Sequence, residues 1–67
     1  MIVIDGVSIN NLYDAYLWLK EAWMYEPYNI YYEEYDGKDY IDIEPCDEHD
    51  PGGWIICNLE EFKRFIN

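Results

Sequence analysis

Tyr28-Asn29-Ile30-Tyr31-Tyr32-Glu33-Glu34-Tyr35, then Asp36-Gly37, then Lys38-Asp39-Tyr40-Ile41-Asp42-Ile43-Glu44: the reading of this run decides the fold. Asp-Gly between two alternating runs marks a type I′ hairpin, because both turn positions need positive φ. A two-residue loop fixes the register. Tyr35 falls opposite Lys38, Glu33 opposite Tyr40, Tyr31 opposite Asp42 and Asn29 opposite Glu44. The other face pairs Tyr32 with Ile41 and Ile30 with Ile43. Side chains alternate between faces along a strand. The set Ile30, Tyr32, Ile41 and Ile43 is therefore expected in the core. Tyr31, Glu33, Tyr35, Tyr40, Asp42 and Glu44 are expected to face solvent.

On the N-terminal side, Ile2-Val3-Ile4 reads as a short strand ended by Asp5-Gly6. A helix is expected next, capped by Ser8 or Asn10. Leu12, Ala15, Tyr16, Leu19, Ala22 and Trp23 recur at helical spacing and form its apolar stripe. Pro27 disfavours helical backbone in the residue before it, so the helix should stop near Tyr25. Trp18 falls beside the stripe and is assigned to the core, the alternative being an exposed anchor for a partner. Towards the C-terminus, residues 45–53 read as a loop and Trp54-Ile55-Ile56-Cys57 as a short buried strand. Asn58-Leu59-Glu60-Glu61 has the spacing of a helix cap whose third helical residue reaches back. Leu59, Phe62, Phe65 and Ile66 make that helix amphipathic. The expected fold is α+β in the order β-α-β-β-β-α, a small, mostly antiparallel sheet with two helices packed on one face.

At 67 residues the chain is expected to form one domain, residues 1–67. A domain this short buries only roughly 60% of the surface its unfolded chain exposes, so its core must be dense. Eight Tyr, three Trp and two Phe supply it, and that aromatic content argues against disorder. Fifteen Asp and Glu against four Lys and Arg give a formal net charge of −11. Solubility asks for a magnitude of only about 2–8, and the excess destabilises the compact state by self-repulsion. A role for the charge beyond solubility follows, with an acidic proteome as the plain alternative. No basic segment leads into an apolar signal core, and Met1–Ile4 is too short an apolar run to cross a bilayer. A cytoplasmic protein, repelled by anionic membranes, is expected. Two cysteines, Cys46 and Cys57, do not make a disulfide framework.

Ten of the acids lie between Glu26 and Asp50, with Lys38 the one base among them. Strand residues two apart stand roughly 6.6 Å apart, so Tyr40, Asp42 and Glu44 project side by side with Glu33 across from them. Carboxylates held in a row on a rigid sheet resemble a row of phosphates, and a protein that binds DNA through Lys and Arg presents the groups to meet them. Tyrosines suit the core of such an interface. The expected partner-binding residues are Glu33, Asp42, Glu44, Tyr31, Tyr35 and Tyr40, extended by Asp47, Glu48 and Asp50 of the following loop. The bland alternative is a solvated face rich in β-formers. Cys46, Asp47, Glu48, His49 and Asp50 lack the ligand spacings of zinc or calcium sites, so no metal or other cofactor is expected. No catalytic residue is assigned. Glu33 and Glu34 point to opposite faces, and Cys46 sits in an acidic setting that opposes thiolate formation.

With its Tyr- and Glu-rich strands around Asp36-Gly37, the chain resembles the small acidic DNA-mimic inhibitors of phages and mobile elements, of the anti-CRISPR and anti-restriction kind. The resemblance covers about residues 26–50 and lies in size, charge and layout of acids on a sheet. It implies a non-enzymatic inhibitor acting in the cytoplasm of a bacterial host. The partner it implies is a basic nucleic-acid-binding protein, a CRISPR effector or restriction nuclease, with no direct contact to nucleic acid or membrane. Ile4-Asp5-Gly6 with Ile9-Asn10-Asn11-Leu12 is similar to the opening of barstar-type ribonuclease inhibitors, over about residues 2–20. That implies the inhibitor or immunity protein of a nuclease. A small acidic structural or adaptor subunit is the third reading.

Overall fold

The fold comes from a computed structural model that describes residues 1–47, 49 and 52–67. Strands β1 (Ile2–Ile4) and β2 (Val7–Ile9) are followed by helix α1 (Leu12–Ala22). Strands β3 (Tyr28–Tyr35), β4 (Lys38–Pro45) and β5 (Trp54–Ile56) then lead to helix α2 (Leu59–Ile66). The α+β class holds, and the order gains a strand to become β-β-α-β-β-β-α. Among the described residues the strands form two antiparallel sheets, a ribbon β1-β2 and a three-stranded sheet in the order β3-β4-β5.

The added strand comes from the turn at Asp5-Gly6. Both residues have positive φ, 49° and 80°, as Asp36 and Gly37 do at 55° and 74°. That conformation reverses the chain instead of only ending β1, and Val7-Ser8-Ile9 folds back with Ile2 opposite Ile9 and Ile4 opposite Val7. Ile9 is fully buried, and Ile2 and Ile4 pack against the core. A two-stranded ribbon is marginal by itself, and this contact holds it to the rest of the molecule.

Asn11, not Ser8 or Asn10, caps α1. Its backbone is extended, and its side-chain oxygen accepts the Asp14 N–H at 2.8 Å. The helix ends at Ala22, with Trp23 as its C-cap, three residues short of Tyr25. The cap lets the Trp23 ring turn into an aromatic group with Tyr28, Trp54 and Phe65, at centroid distances of 5.3–6.2 Å. A turn follows in which Glu26 N–H donates to the Trp23 carbonyl at 3.0 Å.

Every pair required by the Asp36-Gly37 turn is formed in β3-β4. Ile30, Ile41 and Ile43 are buried beneath α1 and α2, with Leu12, Ala15, Leu19, Ile56 and Phe62 completing the core. Tyr32 is half-buried where full burial was expected. It lies towards the tip of the hairpin, covered by the rings of Tyr13 and Tyr16 at 5.1 and 5.7 Å. Pro45 belongs to β4 and not to the loop, and Cys46 N–H prolongs the pairing by donating to the Pro27 carbonyl at 3.0 Å. Trp18 is half-buried, its ring edge-on to the fully buried Phe62. No helix among the described residues is long and apolar enough to cross a membrane.

Candidate partner-binding face

Because both helices pack on one side of the three-stranded sheet, the other side faces solvent. Period-two alternation sends Asn29, Tyr31, Glu33 and Tyr35 to that side from β3, and Lys38, Tyr40, Asp42 and Glu44 from β4. Ile55 joins them from β5, opposite Asp42. All six expected hairpin residues therefore share one face.

Their exposures differ. Glu33, Glu44, Tyr31 and Tyr35 are exposed, Tyr35 at 77% and Tyr31 at 42%. Asp42 is half-buried, not exposed as expected. It sits on the central strand with Tyr31 on one flank and Ile55 on the other. Tyr40 is half-buried as well, and its hydroxyl donates to Glu33 Oε2 at 2.5 Å. That bond fixes the carboxylate over the sheet. It also raises the Tyr40 pKa, with burial and the charges of Glu33 and Asp42 adding to the effect. Tyr40 therefore stays a neutral donor at neutral pH.

The remaining acids do not all gather here. Glu34 and Asp39 are paired and point to the helix side at the tip of the hairpin. Asp39 there accepts the Tyr32 hydroxyl at 2.7 Å, which is the main cause of a Tyr32 pKa pushed up to about 12. Asp36 occupies the turn. Asp47 is exposed in the segment after β4, where its Oδ1 accepts the His49 N–H at 2.9 Å. Glu48 and Asp50 lie outside the described residues. Among the described residues, no group of three His, Cys, Asp or Glu stands placed to hold a metal ion.

Ile55 is the member that sequence reasoning missed. Trp54 and Ile55 are 40% and 56% exposed, and only Ile56 of the expected buried strand is buried. The helices cover one face of the sheet alone, so only alternate residues of β5 can be buried. Alternation of Trp54 and Ile56 against Ile55 was the available signal, hidden because all three residues are apolar. Cys57 falls beyond the strand, and both cysteines are free and exposed.

The face thus offers the carboxylate of Glu33, held by Tyr40, together with Asp42 and Glu44, phenol hydroxyls and flat aromatic area beside the apolar Ile55. Such a surface can accept hydrogen bonds from Lys and Arg while burying ring area against their stems. Comparison of the chain with protein-family models, with curated proteins and with solved structures finds no match in any of the three.

Proposed function

We propose that the chain is an acidic DNA-mimic inhibitor, whose outer sheet face docks on the basic nucleic-acid-binding cleft of a host defence nuclease. The observation that carries the reading is the shared face of Tyr31, Glu33, Tyr35, Tyr40, Asp42 and Glu44, left uncovered by both helices. A rigid ladder positions these groups before binding, so little ordering entropy is lost on contact. The net charge of −11 adds long-range attraction to a basic cleft and speeds encounter. Tyrosines at the centre supply buried area of the type enriched in interface cores.

The test is a cleavage assay across purified CRISPR effectors and restriction nucleases. Inhibition of at least one enzyme is expected, weakening as salt rises and relieved by excess non-cleavable duplex DNA. Binding to such an enzyme that ignores both salt and DNA would count against mimicry.

A further inference from the structure

The flank of α1 turned towards β2 carries Asp14, Leu17, Trp18 and Glu21, spaced i, i+3, i+4, i+7 on one side of the helix. Two adjoining hollows of about 250 and 210 Å³ lie along this flank. Val7, Leu17 and Trp18 form their apolar part, and Asp5, Asp14 and Glu21 their charged part. Val7 and Leu17 remain 47% and 48% exposed, so the fold leaves this apolar strip uncovered. None of the chain's four basic residues lines either hollow. The one cation of α1, Lys20, is held over the Tyr16 ring at 5.6 Å from its centroid. Asp14 is oriented by accepting the Asn10 N–H at 3.1 Å.

We propose that this groove between α1 and β2 takes a basic segment of another protein. An apolar side chain of that segment sits against Leu17 and Trp18, between two cationic side chains that meet Asp14 and Glu21. Charge complementarity selects the occupant: three carboxylates with no basic neighbour in the lining repel a second copy of this acidic chain and an acidic peptide alike. The length of the strip sets the spacing. Asp14 and Glu21 are seven positions apart, roughly 10 Å along the helix, so the two cations must span that distance around the apolar group. The hollows suit single side chains, and Lys or Arg stems can lie on the apolar strip with their heads at the carboxylates. The groove is on the helix side of the sheet, away from the outer face, and the proposal does not rest on the reading of that face.

The test is amide NMR of the full chain titrated with an amidated peptide that has arginine at both ends, two leucines in the middle and alanines between. Shifts are expected to centre on Val7, Ser8, Leu17 and the Trp18 indole N–H. The pair D14N/E21Q, which removes charge but keeps side-chain oxygens, is expected to weaken binding roughly three- to tenfold. A peptide with serine in place of both leucines is expected to bind more weakly by roughly threefold or more, and so is the exposed-site variant Leu17→Ser. Leu17→Ser keeps the test decisive should D14N/E21Q fail to fold. Shifts that centre on Tyr31, Glu33 and Glu44, or scatter over Asp47, Glu60 and Glu61, overturn the proposal. So does an affinity unchanged by D14N/E21Q and by Leu17→Ser.

Discussion

Asp14 and Glu61 hold equivalent positions at the starts of the two helices. Asn11 and Asn58 each accept the N–H of the residue three positions on, both at 2.8 Å. The acid at that position reaches back, Asp14 to the Asn10 N–H at 3.1 Å and Glu61 to the Cys57 N–H at 2.6 Å. The reach goes one residue past the cap, to the residue before it, and the carboxylates also favour the positive end of each helix. The pattern Asn-x-x-acid was legible at Asn58-Leu59-Glu60-Glu61 and equally present at Asn11-Leu12-Tyr13-Asp14. There it was masked by Ser8 and Asn10, which have the same capping chemistry. Replacing Asn11 or Asn58 by Ala should cost about 1 kcal/mol each, read as a fall in melting temperature of roughly 4–8 °C. Tyr32 gives a second outcome at this level. Its pKa is raised to about 12, first by its hydrogen bond to Asp39, above an unfolded value of about 10. The stabilisation is fully present below about pH 10 and is lost as pH rises through about 12. Phenolate absorbance should show the Tyr32 step near pH 12, and Asp39→Asn should bring that step down.

Two Asp-Gly turns shape the strands, and only the second is legible in the sequence as a hairpin. Asp36-Gly37 stands between long alternating runs, where the period of two is plain. Asp5-Gly6 joins strands of three residues each, too short for alternation to show, and Val7-Ser8-Ile9 reads as readily as an approach to the helix. The turn residues themselves are the same. A Cβ added at Gly6 or Gly37 meets nothing within 4 Å, so the effect of Gly6→Ala or Gly37→Ala is set by backbone strain alone. Each should destabilise by about 1–2 kcal/mol, visible as a lower denaturant midpoint at constant slope. A neutral result at Gly6 would mean that the β1-β2 ribbon does not share the cooperative transition. The apolar strand β5 shows the limit of pattern at an edge, since Trp-Ile-Ile does not reveal which side is covered.

Across the molecule, the acids are spread more widely than the sequence position of ten of them between Glu26 and Asp50 suggests. Alternation divides the hairpin's carboxylates between two faces, leaving Glu33, Asp42 and Glu44 on the outer one. The shared face was legible because register follows from the turn. The half-burial of Asp42 was not, because it depends on β5 closing beside it. A formal charge of −11 is expected to leave self-repulsion as its net effect. The melting temperature should therefore rise between about 10 and 150 mM sodium chloride, as the screening length falls from about 30 to 8 Å. A flat or falling curve would show that attraction between neighbouring charges already offsets repulsion. For binding, reversal should be placed at Glu33 and Glu44, both exposed, since a lysine at half-buried Asp42 would confound binding with folding. With a nuclease that the wild-type chain inhibits, affinity is compared between wild type and E33K/E44K, alongside a control at the exposed Asp47, Asp47→Lys. Loss of at least roughly tenfold in affinity in the double reversal, with its melting transition intact and the Asp47 control near wild type, is the expected result. Full inhibition by E33K/E44K, with inhibition lost in Asp47→Lys, would place the contact elsewhere and contradict binding through the outer face.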